Sequence, residues 1–266
     1  MRLNKPRVLF LSHGGGPLPL LDDEGHREMV DNLKLIAARI DKPSAIIVIS
    51  AHWEAVIPTI TSGSNPALIY DYSGFPEESY DIKYPCSGEP FLAGKVQCML
   101  GDKGIEARLD ETRGFDHGLF VPLKIMYPEA DVPCIQLSLV KGLDPDAHIK
   151  IGTALAGIEY DNLLVIGSGF SFHNMRAFFT PDTAETENMN ASFEQWLIDT
   201  CSNPALGEGE RMQRLVHWED APFARYCHPR EEHLLPLHVC YGLTQKSCLK
   251  YYELHIMRKK ASVYLW

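Results

Sequence analysis

A recurring pattern constrains this chain most: a short, almost wholly apolar run that closes in a turn carrying a histidine. Arg7-Val8-Leu9-Phe10-Leu11-Ser12 leads to His13 and then Gly14-Gly15-Gly16-Pro17. Ala45-Ile46-Ile47-Val48-Ile49-Ser50 leads through Ala51 to His52 and Trp53, and Leu163-Leu164-Val165-Ile166 leads through Gly167-Ser168-Gly169-Phe170-Ser171-Phe172 to His173 and Asn174. Such runs suit strands buried on both faces, as in a parallel sheet. Parallel neighbours need long crossovers, usually helical, and the intervening segments supply them. Met29, Val30, Leu33, Ile36 and Ile40 recur at helical spacing and predict an amphipathic helix from about Gly25 to Ile40. Phe91 to Leu100 and Ala147 to Ile158 read as further helices, and Cys134 to Leu139 as another strand. Thr183 to Leu243 is helical in period, with Phe193, Trp196, Leu197, Leu234 and Leu237 apolar, and Cys248 to Leu254 and Ala261 to Trp266 read as closing strands. The expected fold is α/β: one domain over residues 1–266, with a central, mainly parallel mixed sheet flanked by helices on both faces. Ligands of such sheets bind in the crevice outside the carboxyl ends of the strands, so His13, His52 and His173 can converge although far apart in sequence.

Composition removes several function classes. At 266 residues, 45% hydrophobic and 23% charged, the chain can bury a sizeable core. Its formal charge of −10, from 25 Lys and Arg against 35 Asp and Glu, and the lack of a basic cluster beyond Arg258-Lys259-Lys260 argue against a nucleic-acid partner. No apolar run approaches the roughly 20 residues of a membrane span, and Met1-Arg2-Leu3-Asn4-Lys5-Pro6 has no leader-like apolar stretch. A cytoplasmic protein without membrane partners is expected. The seven cysteines, at 86, 98, 134, 201, 227, 240 and 248, form no C-x-x-C pair and are expected to be reduced thiols, neither a disulfide framework nor a zinc site. The Gly- and Pro-bearing stretch from Ser62 to Pro90 keeps Ile69, Tyr70, Phe75, Tyr80 and Tyr84, so it reads as an ordered excursion.

Convergent imidazoles point to a divalent metal or to acid–base chemistry. A lone histidine is usually a hydrogen-bonded core or surface residue, and His26, His148, His217, His238 and His255 keep that reading for want of a strand-end context. His228-Pro229-Arg230-Glu231-Glu232-His233-Leu234-Leu235-Pro236-Leu237 places two histidines and two carboxylates at the start of a helix. There Glu231 and Glu232 also suit the helix dipole, and His233 is the sharper candidate. In Arg113-Gly114-Phe115-Asp116-His117-Gly118 the flanking glycines let the backbone carry His117 close to a ligand, or leave it a turn residue. Two rival motifs fail. His13-Gly14-Gly15-Gly16 resembles an esterase oxyanion loop, but no G-x-S-x-G nucleophile elbow accompanies it. Gly167-Ser168-Gly169 begins like a dinucleotide fingerprint, but Phe172 occupies the third glycine position.

Taken together, Ser12 to Pro17, Ser50 to Trp53, Gly114 to Gly118, Gly167 to Asn174 and His228 to Leu237 resemble the class III extradiol ring-cleavage dioxygenases, in the branch of the DOPA 4,5-dioxygenases. Tyr70-Asp71-Tyr72-Ser73-Gly74-Phe75-Pro76 and Tyr80-Asp81-Ile82-Lys83-Tyr84-Pro85 are similar to that branch as well, so the resemblance spans nearly the whole chain in order. It implies His13, His52 and His233 as metal ligands, His173 as the acid–base residue or a fourth ligand, and His117 as a second histidine on the substrate. Protocatechuate-cleaving relatives have a glutamate as third ligand; His233 in its place makes the set neutral and suits Fe(II), expected for activity, and Zn(II) alike. The implied partners are a small, DOPA-like catechol and O2. Two other functions use the same residues: a non-catalytic binding or signalling relative of the fold, and a hydrolase using zinc-bound hydroxide.

Overall fold

The computed structural model describes residues 6–266; Met1 to Lys5, five of the six residues of the start read above, lie outside them. Eight strands, β1 (Arg7–Ser12), β2 (Ala45–Ala55), β3 (Thr59–Thr61), β4 (Arg108–Asp110), β5 (Cys134–Val140), β6 (Leu163–Gly169), β7 (Lys250–Ile256) and β8 (Lys259–Leu265), join in one sheet in the order β4-β3-β5-β2-β6-β1-β8-β7. The apolar runs form its parallel centre: β5 with β2, β2 with β6, and β6 with β1. Antiparallel pairing brings in β8 beside β1 and β3 beside β5, so the sheet is mixed. Leu9, Phe10, Leu11 and Ile46 through Ile49 are fully buried, each side chain contributing about 1.5–3 kcal/mol of burial free energy.

The helices are α1 (Arg27–Arg39), α2 (Pro90–Asp102), α3 (His117–Met126), α4 (Pro145–Leu155), α5 (Met175–Phe178), α6 (Ala184–Ser202), α7 (Glu208–Val216), α8 (Ala224–Cys227) and α9 (Leu235–Thr244). In α1, Met29, Leu33 and Ile36 are buried, as the spacing predicts. None of the described helices is long and apolar enough to cross a membrane. Alternate residues of β6 set which helix covers which face. A Cβ on Gly167 would lie 2.6 Å from the Pro236 carbonyl oxygen, and one on Gly169 2.1 Å from that of His233, so only glycine lets the chain entering α9 come this close. Ser168, between them, points to the other face and donates to the Gly118 carbonyl oxygen of α3 at 2.5 Å. The glycine pair that begins like a dinucleotide fingerprint is thus a packing device, and it seats His233 at the end of β6.

Local boundaries differ from expectation near the histidines. β6 continues beyond Ile166 because Gly167, Ser168 and Gly169 still pair with Phe10, Leu11 and Ser12. β2 continues beyond Ser50, so His52 lies within a strand; the register against β5 jumps from Ser50 opposite Ser138 to Glu54 opposite Leu139, which makes Ala51, His52 and Trp53 a bulge. His117 is the first residue of α3. β3 and β4, three residues each, are too short to leave a periodic signal.

Candidate metal centre and substrate cavity

His13 continues the ladder of β1, its N–H donating to the Gly169 carbonyl oxygen at 2.9 Å. The bulge in β2 re-aims His52, and the chain leading into α9 brings His233, so that the ring centroids stand 4.9 Å (His13 to His52), 5.2 Å (His13 to His233) and 4.9 Å (His52 to His233) apart. One ligand nitrogen from each lies within 4.8 Å of the others. The Nε2 atoms of His13 and His52 are 3.1 Å apart, close to the spacing of about 3.0–3.4 Å for two nitrogens each about 2.1 Å from one ion.

The far side of each ring decides whether Nε2 can be a ligand. Ser168 spends its hydroxyl hydrogen on Gly118, so it accepts from His13 Nδ1–H at 3.0 Å, which leaves the lone pair on His13 Nε2. His233 Nδ1–H donates to Glu232 Oε1 at 2.8 Å, with the same result. His52 Nδ1 stands 3.7 Å from Asp71 Oδ2. Burial, and then the neighbouring imidazoles beginning with His52, hold His13 well below the ordinary histidine range. Burial and His173 do the same to His233, and burial and His117 push His52 down to about 3. Three neutral rings, two of them held by Nδ1 so that the lone pair falls on Nε2, fit one divalent cation.

Two histidine–carboxylate pairs flank this triad. Glu232 Oε1 accepts from His173 Nδ1 at 3.0 Å while also accepting from His233, and the two rings stack with centroids 3.4 Å apart and planes 17° apart. Asp71 Oδ1 accepts from both the backbone N–H and Nδ1–H of His117, at 3.0 and 2.8 Å, and the His117 ring lies 3.9 Å from that of His52. Burial pushes both carboxyls up, but the hydrogen bonds from His173 and His117 outweigh it, so Glu232 and Asp71 end below their usual values and are ionised. All five histidines singled out in the sequence line one cavity of about 270 Å³, with the glycine loop Gly14–Gly15–Gly16 as part of its wall. Gly14 and Gly16 hold positive φ, and Gly15 N–H donates to His26 Nε2 at 2.9 Å, so buried His26 shapes that loop.

Sequence reasoning missed the anchors. Asp71 lay inside a motif quoted for resemblance alone, and Glu232 was read as a dipole partner, although its neighbour His233 was a clue. Ser168 carried no signal beyond its place between two glycines.

The fold and site define a class: an α/β protein with a histidine-rich crevice at the strand ends, suited to one divalent metal. Residues 7–263 match the family described as the catalytic LigB subunit of aromatic ring-opening dioxygenase. The chain is 36% identical over 287 residues to dioxygenase tasH of Hapsidospora irregularis, covering 100% of this chain and 86% of that one. It is 40% identical over 237 residues to a 4,5-DOPA dioxygenase extradiol of Portulaca grandiflora (88% and 84% covered), and 32% over 231 residues to that of Escherichia coli K12 (86% and 82%). The crystal structure of an uncharacterized protein from Escherichia coli K12 superimposes with a TM-score of 0.77 at 26% identity, covering 98% of this chain and 99% of that one. The chain belongs to this family of class III extradiol, aromatic ring-opening dioxygenases.

Proposed function

We propose that the chain is a non-haem metal-dependent extradiol dioxygenase that opens the ring of a small catechol, the chemical class that includes DOPA, with O2. The observation that carries this reading is the convergence of His13, His52 and His233, a ring nitrogen of each within 4.8 Å of the others, with His173 and His117 beside them on the wall of the same cavity. In this reading those three are the ligands, and bound Fe(II) would supply the redox chemistry that lets a catechol react with O2, whereas Zn(II) would fill the same site without it. His173 takes the proton of a catechol hydroxyl on its Nε2, because its Nδ1 is held by Glu232, whose negative charge stabilises the imidazolium that results. The same imidazolium returns a proton to the opening ring, acting first as base and then as acid. His117, fixed by Asp71, directs its Nε2 at the substrate as a hydrogen-bond partner. A cytoplasmic setting belongs to the same proposal.

The test is anaerobic loading with Fe(II), followed by addition of a catechol panel and O2. Oxygen uptake together with a yellow semialdehyde product is expected. Activity that persists without O2 and with Zn(II) alone would point to a hydrolase, and catechol binding without O2 uptake to a non-catalytic relative.

A further inference from the structure

We infer that, within the catechol class, the cavity selects rings whose substituent is uncharged and apolar over rings bearing a carboxylate or an amino-acid side chain. This rests on the reading above and adds one placement to it: the two catechol hydroxyls toward His13, His52 and His233, and the ring substituent toward the cavity mouth.

Apart from the five imidazoles and Tyr72, every side chain that lines the cavity is apolar, and the Tyr72 hydroxyl is already spent on the Ser79 carbonyl oxygen at 2.6 Å. Phe170 and Phe178 stack at 5.6 Å to form a buried wall. Met175 and Phe179 carry that wall to the lip, where they are 55% and 76% exposed. Apolar surface left in water at the rim of a cavity gains by being covered, and a nonpolar substituent leaving the ring in that direction would cover it.

The cations nearest in sequence are turned away. Arg176 directly follows Met175, yet it lines a separate hollow with Asp182 and Thr186. Arg258 follows Met257, yet it donates to the Phe178 carbonyl oxygen at 3.2 Å and lines another hollow with Glu187 and Lys260. A carboxylate on the substrate would therefore lie against an apolar wall with no cation among the residues lining the cavity to meet it. An ammonium would find the carboxylates of Asp71 and Glu232 engaged by His117 and His173. The site discriminates by leaving charge unpaired.

The experiment measures dissociation constants by calorimetry on the Zn(II)-loaded full chain under argon, with 4-tert-butylcatechol, L-DOPA and 3,4-dihydroxybenzoate, and kcat/KM for the same compounds on the Fe(II)-loaded chain. The tert-butyl compound should bind at least about tenfold more tightly than either charged one. Met175→Arg and Phe179→Arg, both at exposed positions, should shift the ranking toward 3,4-dihydroxybenzoate by about tenfold. Equal or tighter binding of L-DOPA or 3,4-dihydroxybenzoate to the unmodified chain would overturn the selectivity and leave the catechol reading standing. A ranking unmoved in both arginine variants would overturn the role of the lip. Binding of none of the three would overturn both readings together.

Discussion

At the carboxyl ends of β1, β2 and β6, and in the layer built by α4 and α9, the same residue type is buried to opposite ends. His148 of α4 uses both ring nitrogens on backbone: Nδ1–H donates to the Asp144 carbonyl oxygen at 2.7 Å and Nε2 accepts from Val140 N–H at 3.1 Å. His238 of α9 faces two carbonyls, and burial pushes it down to about 4, so at neutral pH its one N–H goes to Leu215 at 2.8 Å, the shorter contact. In the crevice the outer nitrogens of His13 and His233 are held by Ser168 and Glu232, while the inner nitrogen of His13 meets only the Nε2 of His52, at 3.1 Å. Burial and a lowered proton affinity are common to both regions and so do not mark a site. What marks it is a lone pair without a protein donor, held in place from behind.

The sharpest way to break this contrast is His13→Ala, which should reduce bound metal to background and abolish O2 uptake, as read by elemental analysis after desalting and by an oxygen electrode. A full equivalent of metal in that variant would remove His13 from the ligand set. His173→Ala should keep its metal and lose about 10²- to 10⁴-fold in turnover, the typical share of an acid–base residue. If it empties as completely as His13→Ala does, His173 is a fourth ligand. His117→Phe should retain metal and lower kcat/KM by about 1–3 kcal/mol, roughly 5- to 150-fold, for an unpaired substrate hydroxyl; an unchanged value would make His117 a structural residue only.

The smallest effect on the site itself comes from the helical layer, where only stability should change. His238 is held below its unfolded value of about 6.5, so the unfolded chain binds the extra proton first as pH falls. Its stabilising contribution is present above pH of about 6.5 and is lost toward the folded value of about 4. His238→Gln should flatten the fall of stability over that window by up to about 1.4 kcal/mol per pH unit, measured by denaturant melts, with metal content unaltered. An equally steep fall in the variant would assign the acid sensitivity elsewhere.

Much of the fold was legible because its signals are local. The apolar runs, the spacing of Met29, Leu33 and Ile36 and the turn glycines each depend on a few consecutive residues, and they predicted the sheet centre, α1 and the placing of His13 just past β1. Motif order along the chain gathered five histidines that the structure brings to one cavity. The edges were less legible: β3 and β4 exist because β5 offers an unpaired side, which is a property of the assembled sheet.

The sequence by itself determined which side chains could carry the chemistry, since strand period, turn composition and residue type are written in short windows. Tertiary structure decided how they are brought together and oriented. The bulge that turns His52 inward arises from register against β5, and the approach of His233 depends on Gly167 and Gly169 meeting the backbone ahead of α9. Asp71 reaches His117 from 46 residues away, and Ser168 reaches His13 from 155. Tautomers, anchors and the apolar lip are set by distances between segments that packing alone brings together, and no local pattern encodes those distances.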